Sequence, residues 1–128
     1  MNTIEQFIRE VNEAISDVNT DYLLDKITDD FCWTIIGEKT VSGKTEFSEA
    51  MDQMRGLPKM KISIEKVMTD QQCATVEGVV VGKNRNGQKK YFAFADIYEL
   101  EGANDPKIKK LTSYVIDVSK HKQYKESF

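Results

Sequence analysis

Tyr91-Phe92-Ala93-Phe94-Ala95-Asp96-Ile97-Tyr98-Glu99-Leu100 decides how the rest of this chain is understood. Aromatic and β-branched residues dominate the run, which makes it a strand. Phe92, Phe94, Asp96 and Tyr98 alternate onto one face, while Ala93, Ala95 and Ile97 make the other face apolar as well. An antiparallel sheet covered on one side alone requires a single apolar face. The expectation is therefore helices on one side of the sheet and a second copy of the chain on its outer face, a homodimer. One acid, Asp96, interrupts the row of rings.

The flanking sequence supplies the other elements. Asn86-Gly87 suits the positive φ angles of a tight hairpin, so the valine-rich run 73–82 should turn directly back into the strand 89–100. Met60, Ile62 and Ile64 alternate with Lys61, Ser63 and Glu65 in another strand. Beyond a loop at 102–106, a last strand at about 107–118 carries Ile108, Leu111, Tyr114, Val115, Ile116 and Val118, and 120–128 reads as a frayed tail. In the amino-terminal half the period lengthens. Ile4, Phe7, Ile8, Val11, Ala14, Ile15 and Val18 predict a helix over 3–18, and Tyr22, Leu23 and Ile27 a second over about 20–28, capped by Thr20 or Asp21. Residues 31–36 form a buried strand ended by Gly37. After a turn-rich stretch, Phe47, Ala50, Met51 and Met54 mark a third helix at about 45–55, closed by Gly56 and Pro58. The order is helix, helix, strand, helix, then four strands: an α+β cone with three amino-terminal helices on a curved, mostly antiparallel sheet, which encloses a conical hollow. With 128 residues the chain is expected to be a single domain, 1–128, with a core at about 3–118 and a tail at 119–128.

Composition narrows the function. The net charge is −3, with 12 acids against 5 bases in residues 1–55 and 9 against 13 in residues 56–128. Overall acidity, and the spread of Lys59, Lys61, Lys83, Arg85, Lys89 and Lys90 along strand edges and turns, favour a solvated surface over a nucleic-acid partner. Glu5, Arg9, Glu10, Glu13 and Asp17 stand among the first apolar residues, which suits neither a signal peptide nor a membrane span; the expected location is cytoplasmic. Cys32 and Cys73 form no close pair and read as reduced core residues, and a lone histidine, His121, builds no metal site. The run from Gly37 through Ser42-Gly43-Lys44-Thr45 is one residue too long for a phosphate-binding loop, and its interior lacks the required glycines.

Asp29-Asp30-Phe31-Cys32-Trp33 entering the first strand, Ser42-Gly43-Lys44-Thr45 opening the third helix, and the closing pair Asp96-Ile97-Tyr98-Glu99-Leu100 and Lys107-Ile108 through Tyr114 to Asp117 resemble the SnoaL-like part of the nuclear-transport-factor-2-like superfamily. The resemblance covers about 3–118 and implies the cone fold; members include polyketide cyclases, ketosteroid isomerases, epoxide hydrolases and binding proteins, so fold alone does not choose among them. In the isomerases a tyrosine on the first helix and an acid on the penultimate strand bind the developing oxyanion, while a second carboxylate on the first strand moves the proton. The resemblance implies that Asp96 occupies the strand-acid position, Ile35 the base position and Val11 the tyrosine position. Two of three working groups are apolar here, and a ketosteroid isomerase proper is not expected.

The same alignment turns Leu111, Ser113, Val115 and Asp117 toward the hollow. The expected catalytic residues are Asp96, as acid or proton carrier, and Asp117 as its partner. Trp33, Ile35, Val11, Tyr22, Met54, Tyr98, Leu111, Ser113 and Val115 are the expected ligand-binding residues, with Tyr22 also able to assist. Simpler roles stand beside these: Asp96 paired at the dimer interface or satisfied by backbone, Asp117 solvated beside Lys120, Trp33 and Met54 as core, and Asp30 capping a turn. The expected function is binding of a small hydrophobic or cyclic molecule, with cofactor-free isomerase, cyclase or hydrolase chemistry at Asp96. The alternative is a non-catalytic ligand-binding or accessory dimer. Neither cofactor nor metal is expected.

Overall fold

In the computed structural model, which describes residues 3–121, helix α1 (Thr3–Ser16) buries Ile8, Val11 and Ala14 along one stripe. It ends two residues earlier than its apolar spacing suggests, because Val18 adopts a left-handed φ of 53° that turns the chain. Helix α2 (Thr20–Asp25) is capped not by Thr20 or Asp21 but by Asn19, whose side chain accepts the Tyr22 amide. The helix stops short of Ile27, and strand β1 (Ile27–Ile35) begins there with Ile27, Thr28 and Phe31 buried. Strand β2 (Lys39–Ser42) follows, hidden in the sequence by its brevity, since Val41 alone of its four residues is buried. Helix α3 (Gly43–Arg55) places Phe47 and Met51 in the core. Three long hairpin-linked strands and a fourth complete the sheet: β3 (Lys61–Asp70), β4 (Cys73–Lys83), β5 (Lys89–Glu101) and β6 (Lys107–Asp117). The Asn86-Gly87 turn lies between β4 and β5 as expected, with Gly87 at φ 78°.

The six strands run in the order β2-β1-β6-β5-β4-β3, antiparallel except where β1 meets β6. Register shifts interrupt three of the pairings, at Ile27/Cys32, Ile64/Lys66 and Glu99/Leu100. Each bends a strand, and together they curve the sheet around the helices. Gly78 marks the tightest place: a Cβ there would collide with the Ser63 carbonyl oxygen and press on the Phe94 ring. Its absence lets Phe94 lie across the neighbouring strand. The core packs α1, α2 and α3 against the concave face through Ile8, Val11, Leu23, Phe31, Met51, Val76, Tyr98 and Leu111. This is the expected α+β cone.

Two details depart from the expectations. Cys73 opens β4 and is exposed, while Cys32 is half-buried; both are free thiols, but neither is a core residue. The pairing also reaches past 118. Val118 donates its amide to the Tyr91 carbonyl, and the Ser119 hydroxyl accepts the Tyr91 amide, so Ser119 belongs to the folded unit. The remainder of the expected tail, 122–128, lies outside the described residues. On the convex face Met68, Ile97, Tyr114 and Ile116 are exposed, and no described residue covers them. No described helix is long and apolar enough to cross a membrane.

Candidate functional site

The ladder fixes the surroundings of Asp96. Across the sheet it faces Val76 on β4 and Ser113 on β6, and along β5 it lies between Phe94 and Tyr98, both buried. An ionised carboxylate here loses hydration that apolar neighbours cannot replace. Burial accordingly raises its pKa from 3.8 to about 6, and the Ser113 hydroxyl, bonding the carboxylate, pulls the other way. Asp96 retains 9% of its exposure. It is mostly carboxylate at pH 7 and mostly acid at pH 5, so it can exchange a proton under mild conditions.

Ser113 connects this acid to the aromatic wall. The Trp33 indole N–H donates to Ser113 Oγ at 2.9 Å, which leaves the serine's own proton for Asp96. Trp33 also packs on Phe47 of α3, with ring centroids 6.3 Å apart, and Phe47 meets Phe31 edge to face at 5.5 Å. A helix and two strands thus hold one indole against one hydroxyl.

On the other side of Asp96 the Tyr98 hydroxyl is wholly buried. It accepts a hydrogen bond from Asn12 Nδ2 at 3.3 Å, and the same amide donates to the Ile8 carbonyl at 2.9 Å. Burial, and then the charge of Asp96, push the Tyr98 phenol above its ordinary range; the Asn12 bond opposes them. Tyr98 is therefore a neutral phenol whose proton is not given up, and Asn12 sets its orientation. Asn12 is absent from the residues expected from sequence. Its signal was there to read: a polar residue inside the apolar stripe of α1, one turn after Ile8.

The remaining expected residues divide into two groups. Leu111, Ser113, Val115 and Asp117 alternate onto the concave face as expected, and Trp33 and Ile35 lie beside Leu111 and Ser113. Depth decides their use. Leu111 and Ser113 are buried and Trp33 and Ile35 half-buried, whereas Val115 is 39% exposed. Asp117 is exposed at the strand end, its side chain 52% accessible. Its pKa is lowered by the Ser119 hydroxyl and then the Ser119 amide, and Lys90 lies 4.0 Å away. It pairs across the ladder with Phe92, four residues from the partner of Asp96, so the two acids do not form a carboxylate pair.

Val11 is sealed in the core and Met54 packs on its edge. Tyr22 belongs elsewhere: Lys26 sits 5.3 Å over its ring, and it lines a separate surface cleft with Glu10, Glu13 and Asn19. Asp30 caps no turn: it lies within β1, its pKa lowered by the Thr28 hydroxyl at 2.7 Å. Four surface clefts of about 330 to 470 Å³ open along the helices and at the β3–β4 edge, and neither Asp96, Trp33 nor Ser113 lines any of them. Side chains close over Asp96 instead, and it keeps only 9% of its exposure. Among the described residues no three His, Cys, Asp or Glu side chains could hold a metal ion together.

Comparison with known proteins agrees with the fold. Among solved structures, an NTF2-like protein of unknown function from Cytophaga hutchinsonii is 23% identical and superimposes with a TM-score of 0.69, over 88% of this chain and 98% of the other. A ketosteroid isomerase-like protein from Erwinia carotovora atroseptica gives 19% and 0.68, over 88% and 93%. An LEH-like epoxide hydrolase from M. tuberculosis gives 14% and 0.71, over 89% and 83%. At these identities the likeness is one of fold. The search of curated proteins finds no match. The model of the SnoaL-like domain matches residues 6–110, most of the chain. The chain belongs to the SnoaL-like family.

Proposed function

We propose that the protein binds a small hydrophobic or cyclic molecule at the apolar end of the cone, with Asp96 at its base as hydrogen-bond partner and proton carrier in cofactor-free isomerisation, cyclisation or ring opening. The observation that carries this reading is a carboxyl group set among Val76, Phe94 and Tyr98 and raised to about 6 by burial. A carboxylate of this kind takes a proton from a carbon or hydroxyl and returns it to another atom of the same molecule, so no second acid is needed. Neutral Tyr98 and the Trp33–Ser113 pair hold the walls in place. The ketosteroid isomerase-like and epoxide hydrolase neighbours support the class of chemistry by analogy of fold.

One observation favours a second reading, binding without turnover in an accessory dimer. The positions that the family resemblance assigns to base and tyrosine are Ile35 and Val11, and Asp117 is solvated. In both readings a second copy of the chain covers the convex face, supported by the exposed Ile97, Tyr114 and Ile116. The test is a thermal-shift screen with apolar cyclic carbonyl compounds and epoxides, followed by turnover of the compounds that stabilise the fold. Stabilisation by such a compound, with quenching of Trp33 fluorescence, supports binding. Turnover lost in Asp96→Asn while binding persists supports catalysis. A screen without any stabilising compound overturns both readings.

A further inference from the structure

Strand β3 closes one end of the sheet, and among the described residues no strand pairs with its outer edge. The ladder sets Lys61 opposite Val81, Ser63 opposite Val79, Lys66 opposite Glu77, Met68 opposite Thr75 and Asp70 opposite Cys73. Those β4 residues in turn face Tyr91, Ala93, Ala95, Ile97 and Glu99, so all five β3 residues lie on the convex face, away from Asp96. Ile62, Ile64 and Val67 fall on the concave face. The register shift between Ile64 and Lys66 makes this possible. Glu65 is the extra residue, and beyond it odd and even positions exchange faces.

The strand also carries charge without compensation. Elsewhere on the sheet opposite charges meet across the ladder, as Glu99 and Lys110 do at 3.9 Å. Lys61, Glu65, Lys66 and Asp70 have no ion-pair partner among the described residues. Beside them Met68 is 56% exposed.

We propose that β3 pairs antiparallel with β3 of a second copy of the chain, joining two sheets edge to edge about a two-fold axis at Glu65 and Lys66. Laid along its full length, the strand sets Lys61 against the partner's Asp70, Ser63 against the partner's Met68, Ile64 against the partner's Val67 and Glu65 against the partner's Lys66. The two-fold repeats each pair. Cation meets anion at both charged positions, convex Ser63 meets convex Met68, and concave Ile64 meets concave Val67. The register shift selects this occupant. A regular strand keeps one parity along its length, so against β3 it matches faces on one side of Glu65 and mismatches them on the other. A strand broken at the same place matches on both sides, and β3 of a second copy is such a strand. The shift thus closes the edge to foreign strands and leaves it open to its own copy. The contact uses the sheet edge and is separate from the covering of Ile97, Tyr114 and Ile116.

The experiment measures self-association of the full chain by sedimentation equilibrium, in an Ile116→Lys background that charges the convex face and takes that contact out of the reading. The background protein should dimerise as its concentration rises to millimolar, and added salt should weaken the dimer. Lys66→Glu sets like charges against each other twice and should weaken association at least about tenfold. Glu65→Lys combined with Lys66→Glu restores opposite charges and should restore association. With Cys73→Ser added to the background, Ser63→Cys together with Met68→Cys should give a disulfide-linked dimer on oxidation, and neither change alone should. Within one chain these two positions are about 16 Å apart, too far for a disulfide. The proposal is overturned if the background protein stays monomeric at millimolar concentration, if Lys66→Glu associates unchanged, if the charge exchange associates no better than Lys66→Glu alone, or if either single cysteine cross-links as readily as the pair. None of these outcomes bears on the Asp96 site, whose test is ligand binding.

Discussion

Replacing Asp96 by Asn should make the protein more stable at neutral pH. Folding raises this carboxyl from 3.8 to about 6, so the folded state binds the proton more tightly than the unfolded chain does. Below about pH 3 the group is protonated in both states and carries no penalty. As pH rises toward 6 the unfolded chain ionises first and stability falls; above about 7 the full penalty applies. The gap corresponds to about 3 kcal/mol. Asn keeps an oxygen for Ser113 and carries no charge, but its amide hydrogens find few acceptors among Val76 and Phe94, so a net gain of about 2 kcal/mol is expected at pH 7. For a chain of this length that is a rise in melting temperature of about 7 °C. Urea unfolding of both proteins between pH 4.5 and 8 measures it. Asp30 and Asp117, whose lowered pKa values cost stability only in acid, are common to both and cancel in the difference. A variant less stable than the parent at pH 7, with the same slope against pH, would refute the account of a desolvated acid.

Three other substitutions probe the surroundings. Ser113→Ala removes the one bond that holds the Asp96 pKa down, so the carboxyl should titrate above 6, and the indole N–H of Trp33 should lose its acceptor, seen as a shift of its NMR signal. Tyr98→Phe takes away the acceptor of the Asn12 amide while Ile8 still accepts from it; a loss of about 1 kcal/mol in urea unfolding is expected. Gly78→Ala drives a Cβ into the Ser63 carbonyl, a backbone atom that cannot step aside, and should cost at least about 3 kcal/mol, read as a lower melting temperature.

The fold was legible wherever periodicity extended over several residues. The stripe of α1, the Asn86-Gly87 turn and the two-faced apolar strand around Asp96 each carry a pattern that only one local structure satisfies. Strand β2 escaped because four residues with one buried side chain make no pattern; its place is set by pairing with β1. The candidate site was legible in face but not in depth. A period of two puts Ser113, Val115 and Asp117 on the same side, yet only the curvature of the sheet decides that the first is buried and the last exposed. Asn12 shows the converse. Its position on α1 was visible, but its partner, Tyr98, is 86 residues away in sequence, and only the packing of helix on sheet brings them together.

A carbon-detected NMR titration of the Asp96 side-chain carboxyl tests the central claim most directly. The account predicts a midpoint at about 6. A midpoint at or below 3.8, the ordinary value, would mean that water reaches the carboxylate and that the concave face holds no poised acid.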